Sequence, residues 1–153
     1  MRKRKKLVGV LMIVASLIIM QLPVSEADAA SSSASDFRIE GSTLVKYRGT
    51  EKNVSVPDTV KTIAQGAFED DTNVELVVLP NSVERIESYA FWGCENLDTV
   101  VLGKGLSAVG DYAFAGCSGL KQMTIPASVT SIGIQAFGDC VNLKDISIPP
   151  ETT

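Results

Sequence analysis

Residues 79–101 read LPNSVERIESYAFWGCENLDTVV, and residues 102–124 read LGKGLSAVGDYAFAGCSGLKQMT. The second stretch repeats the first position for position, and segments 56–78 and 125–147 share the register, each 23 residues long with no insertion. An Ala-Phe pair recurs at 67–68, 90–91, 113–114 and 136–137. Val60, Val83, Leu106 and Val129 make one aliphatic column, and Ile63, Ile86, Val109 and Ile132 make a second. Val74, Leu97, Leu120 and Leu143 make a third; Val77, Val100, Met123 and Ile146 make a fourth. Proline recurs at Pro57, Pro80, Pro126 and Pro149, with Gly103 as the departure. A gapless period of this length is the signature of a solenoid.

A unit of 23 residues is too short to bury its own apolar side and must stack on its neighbours. Val100 and Leu102 lie two apart in a β-branched run, which predicts a strand there and at its equivalents, 54–56, 77–79, 100–102, 123–125 and 146–148. Chain-equivalent strands run parallel, about 4.8 Å apart. The proline ends each strand because it has no N–H to give to a ladder. Val83 to Ile86 is expected to return on the opposite wall, and Ser88 to Phe91 to form a short helical or 3₁₀ turn that drives Ala and Phe inward.

Ahead of the repeats the sequence changes character. Arg2 to Lys6 is a basic cluster, Leu7 to Leu22 is an apolar run broken by Pro23, and Ala27-Asp28-Ala29 offers a small-x-small cleavage site. This is the pattern of a secretory signal peptide over 1–29, exported by the general secretory route. The apolar run is short for a bilayer span, so membrane contact is expected only through this segment if it is left uncleaved. Residues 30–36 read as a flexible Ser/Ala leader, 37–55 as a capping hairpin with the first strand, and 56–153 as the repeats, the last of them partial. Nothing resembling a cap follows Ile148, which suggests a truncated or shortened array.

The whole chain of 153 residues contains no histidine. That excludes Ser-His-Asp and Cys-His nucleophile systems, histidine-ligated zinc and an imidazole base. Without residues 1–29, nine basic residues stand against 16 acidic ones, a net charge of -7. An acidic surface argues against a nucleic-acid partner.

The pattern Cys-x-x-Leu-x-x-Val/Ile-x-Leu/Ile-Pro-x-x-Val-x-x-Ile-x-x-x-Ala-Phe, running from Val56 to Ile148, resembles the BspA-like leucine-rich repeats of bacterial surface and secreted proteins. The stretch Asp36 to Gly49, turning at Gly41-Ser42, looks like the hairpin that opens such arrays. The resemblance implies a leucine-rich-repeat right-handed β superhelix, with parallel strands on the concave face and short strands or turns opposite. It also implies a role in protein binding and adhesion at the cell surface.

No catalytic, cofactor-binding or metal-ligating residue is assigned. Cys94, Cys117 and Cys140 stack 23 apart and read as small buried core residues, with a Cys94–Cys117 or Cys117–Cys140 bridge as the alternative. Asp71 stands in their column in the first unit. Gly103-Lys104-Gly105 and Glu69-Asp70-Asp71 read as turns, since neither has the spacing of a phosphate loop or a calcium loop. Two surfaces are candidates for binding. The concave face should present Glu75, Leu76, Val78, Asp98, Thr99, Val101, Lys121, Gln122, Thr124, Lys144, Asp145 and Ser147. Tyr89, Trp92 and Tyr112 form an aromatic group outside the core columns, whose register-mates include Gly66, Glu69 and Gln135. The function expected is a non-catalytic extracellular module that binds a host or neighbouring-cell protein, at the surface or secreted. A structural remnant of a larger repeat protein is the first alternative, and a secreted hydrolase the second.

Overall fold

The computed structural model describes residues 33–150 and 152. The expected signal segment therefore lies outside the described residues. The repeats wind into a β-solenoid with two walls. One wall carries the short strands β4 (Thr62–Ile63), β6 (Arg85–Ile86), β8 (Ala108–Val109) and β10 (Ser131–Ile132). The other carries β3 (Asn53–Ser55), β5 (Leu76–Val78), β7 (Thr99–Val101), β9 (Gln122–Thr124) and β11 (Asp145–Ser147). Pairing is parallel and in strict repeat register, as in Val54↔Val77↔Val100 and Ile63↔Ile86↔Val109.

At the amino-terminal end β1 (Phe37–Glu40) and β2 (Thr43–Tyr47) form an antiparallel hairpin. Strand β2 then pairs in parallel with β4, so the hairpin extends the short-strand sheet over the first coil. The leader was expected to be flexible to residue 36. From Ser33 onward it holds a 3₁₀ turn, Ala34–Asp36, because Ser33 and Asp36 complete a capping box. The Asp36 carbonyl also accepts from the Arg48 amide at 2.7 Å, which ties the turn to the hairpin.

Two sequence expectations shift. The long-wall strands sit one residue earlier than their apolar pattern suggests. Val56, Leu79 and Ile125 still donate to the next coil, at 3.0, 2.9 and 3.0 Å, but the following proline ends regular pairing there. Nor is the Ala-Phe segment helical. The amides of Phe68, Phe91 and Phe114 donate to the alanine carbonyls of the next coil at 2.7–2.8 Å, so the turn is itself a rung of the ladder.

The core is a column of rings. Tyr47, Phe68, Phe91, Phe114 and Phe137 stack coil on coil with centroids 4.7–5.5 Å apart. The alanine before each phenylalanine is buried because its neighbours leave no room for a longer side chain. No polar or charged residue is buried among the described residues.

The long wall is divided, β3-β5-β7 forming one sheet and β9-β11 another. The division falls at the coil whose strand ends in Gly103 instead of proline. A β-carbon there would lie 2.2 Å from the Pro80 carbonyl oxygen, so only glycine permits this approach. Val101 and Leu102, just before Gly103, are both buried.

Restoring the proline with Gly103→Pro should cost about 3 kcal/mol through overpacking, read from the urea midpoint. An unchanged midpoint would show that the strand end relaxes freely. Phe91→Ala should cost about 3–5 kcal/mol and Phe137→Ala distinctly less, because Phe137 is only partly covered.

Candidate functional site

On the long wall the side chains alternate as a strand requires. Val77, Val100 and Met123 point inward, and Leu76, Val78, Thr99, Gln122, Thr124, Asp145 and Ser147 lie on the open side. Val101 is the exception. Expected on the open face, it is only 8% exposed.

Glu75, Asp98, Lys121 and Lys144 form a column just ahead of the strands, continuing from Lys52. Its charges pair between neighbouring coils, Lys52 with Glu75 at 2.5 Å and Lys121 with Asp98. The Lys121 hydrogen bond holds the Asp98 carboxyl below its usual range; burial opposes this, and the Thr99 hydroxyl adds to it. Exposed pairs of this type contribute little to stability. Their effect is to cancel charge along the column from Lys52 to Lys121.

Two members of the aromatic group meet in the structure. Tyr89 and Tyr112 stack face to face, centroids 5.2 Å apart and planes within 7°. Both are partly exposed, and Trp92, three residues after Tyr89, is 39% exposed. What the sequence conceals is the backbone beneath them. Gly66, Tyr89, Tyr112 and Gln135 all have left-handed φ, at 66°, 59°, 54° and 47°. Glycine takes that conformation freely, whereas tyrosine is held there at a cost of about 1–3 kcal/mol. Gly66 in the first unit was the available signal.

The three cysteines are free and buried. Each thiol donates to the carbonyl of the phenylalanine one coil back: Cys94 to Phe68, Cys117 to Phe91 and Cys140 to Phe114, at 3.0–3.1 Å. This satisfies a carbonyl inside the core, which is why a small weak donor recurs there. Asp71 instead accepts from the amides of Asn73 and Val74, closing its turn locally. The Cys117 thiol is pushed up by the neighbouring Cys94 and by burial; burial raises that of Cys140.

A feature absent from the sequence reading is an open groove of about 300 Å³ on the outer side of the short wall, over Ala108, Gly110, Ser131 and Gly133. Small side chains in successive coils leave it, with the Arg85–Glu87 pair, 3.5 Å apart, at its rim. Among the described residues no cluster of His, Cys, Asp or Glu could hold a metal, and no helix is long and apolar enough to cross a membrane.

Stacked 23-residue coils with an aromatic spine and a proline-ended long strand define a class, the leucine-rich-repeat β-solenoids. The family model for the BspA type leucine rich repeat region matches in six copies over residues 45–153, and the chain belongs to that family. No curated protein matches the chain. Among solved structures, a leucine rich repeat protein of T. pallidum is 27% identical with a TM-score of 0.78, covering 81% of this chain and 63% of its own. One from Bacteroides ovatus is 33% identical with a TM-score of 0.63, covering 70% of this chain and 29% of its own. A leucine rich cell surface protein of Faecalibacterium prausnitzii shares the fold at 24% identity and a TM-score of 0.56, covering 81% and 45%. The chain thus spans less than two thirds of the length of each of these proteins.

Two measurements follow. Tyr89→Gly exchanges ring contact for relief of backbone strain, and Trp92→Ala removes an exposed ring, so each should change stability by less than about 1 kcal/mol. A loss of several kcal/mol would mean that the rings belong to the core. The ordinary thiol ionises near pH 9.0, while folded Cys117 stays protonated above it. The unfolded chain then binds fewer protons than the folded one, so stability is intact below pH 9 and falls above it. The expected contribution is about 1.4 kcal/mol per pH unit, removed by Cys117→Ala. Denaturation at pH 7.5, 9 and 10 checks this.

Proposed function

We propose that the chain is an exported, non-catalytic protein-binding module that acts at a bacterial surface or in its surroundings, engaging a host or neighbouring-cell protein. The observation that carries this reading is the open face of the long wall. It sets Leu76 beside Thr99 in one sheet and Gln122 beside Asp145 in the next, each pair in parallel register. Solenoids use extended faces of this kind to bind partners. The mix of apolar and polar groups, with the neighbouring charges Lys52, Glu75, Asp98 and Lys121 paired off, suits a protein surface. Membership of a bacterial repeat family supports the location, as does the signal-like sequence of residues 1–29.

The ionisable side chains support a binding role over a chemical one. Hydrolysis by an acid pair needs two carboxylates converging in a pocket. Here Glu75 and Asp98 each face a lysine on an exposed wall.

The test is a pull-down of matrix and cell-surface proteins with residues 30–153, run beside a bait carrying Leu76→Lys, Thr99→Lys, Gln122→Lys and Ser147→Lys. A discrete protein captured by the first bait and lost by the second is expected. Equal capture by both would overturn the face assignment. Capture of nothing, with aggregation that grows with concentration, would favour a structural remnant.

A further inference from the structure

The connections from the short wall back to the long wall, residues 64–73, 87–96, 110–119 and 133–142, form one side of the solenoid. Together they contain seven carboxylates and no lysine or arginine. All nine basic residues of segment 33–153 lie elsewhere, on the hairpin, the strands and the opposite turns. Of the seven, Glu87 is engaged by Arg85; the other ion pairs among the described residues lie off this side. The same side carries Tyr89, Trp92 and Tyr112, the aromatic residues outside the core column. Acid and ring are interleaved. The Glu69 carboxylate lies over Gly66, one coil from Tyr89, and the Asp70 carboxylate lies over Gly93, beside Trp92. The Asp111 carbonyl accepts from the Tyr89 amide at 3.0 Å, while its carboxylate accepts from the Ile134 amide at 2.7 Å, in the coil beyond the tyrosine stack.

We propose that this side binds an arginine-bearing basic segment of a partner protein. Carboxylates that outnumber the basic groups near them favour a cation, and exposed aromatic rings select one that is flat and weakly hydrated. A guanidinium meets both demands, stacking on an aromatic face while its N–H fork reaches a carboxylate. Lysine has the charge without the plane. Lys46 already shows a cation drawn to this side, its ammonium donating to the Gly66 carbonyl at 2.8 Å. The proposal rests on the reading of the chain as a protein-binding module, but it uses a different surface from the long wall.

The experiment titrates the full chain with a seven-arginine peptide, a seven-lysine peptide and a Gly-Ser peptide of equal length. It follows heat and the emission of Trp92, the single tryptophan. The arginine peptide should bind about tenfold more tightly than the lysine peptide and shift Trp92 emission, and the Gly-Ser peptide should not bind. The double variant Tyr89→Gly/Tyr112→Gly keeps the fold, because glycine suits the left-handed backbone there and Gly66 already occupies that position. It should lose about tenfold in affinity for the arginine peptide. Glu69→Gln/Asp70→Asn should weaken binding of both cationic peptides. Absence of arginine-peptide binding, equal affinity for the two cations, or indifference to the glycine variant would overturn the proposal. So would loss of binding through Leu76→Lys on the long wall. The pull-down on that wall can succeed while this titration fails, so the two readings are separately testable.

Discussion

Every ring in the core is buried only because another ring lies on it. A single coil of this chain has no interior, and Phe91 is covered by Phe68 on one side and Phe114 on the other. The stacking distance between rings, near 5 Å, matches the spacing of parallel strands, so ladder and spine impose the same rise on each coil. Any insertion within a unit would break both at once. The gapless 23-residue period is the sequence-level expression of that constraint.

The same constraint fixes the polar groups. With Phe91 held by the spine, its amide meets the Ala113 carbonyl and its own carbonyl meets the Cys117 thiol. The turn that looks like a helix in sequence is instead a third ladder between the two walls. It requires left-handed residues at fixed places, namely Gly66, Tyr89, Tyr112 and Gln135, then Asp70, Gly93, Gly116 and Asp139. Backbone geometry is therefore nearly identical from coil to coil, and differences between coils are written in outward side chains.

Much of this is legible in one sequence because columns 23 apart become neighbours. The ion pairs Lys52–Glu75, Lys61–Glu84 and Asp98–Lys121 all join residues one period apart, and the columns alone place them together. What escapes is whatever depends on a contact off the period. The thiol-to-carbonyl bonds span 26 residues, linking different columns, and no periodic pattern marks them. The one-residue advance of the long strands escapes for a related reason: apolar alternation marks which residues point inward, whereas strand limits follow amide pairing, and β7 stops at the same place without a proline. The buried Val101 escapes because alternation places it on the open side, where its register-mates Val78 and Thr124 are half-buried and exposed.

In a repeat fold the informative positions are those where a residue departs from what its column asks for. At 66, 89, 112 and 135 the backbone asks for glycine, and the first unit supplies it. Two of the other units place tyrosine there against a conformational cost, although the core neither needs the rings nor fully covers them. Gly103 is a departure of the opposite kind: its close neighbour, the Pro80 carbonyl, accounts for it within the fold. The tyrosines have no such account in packing. Their cost is carried on the one side from which lysine and arginine are missing, and that coincidence ties the aromatic group to the charge around it.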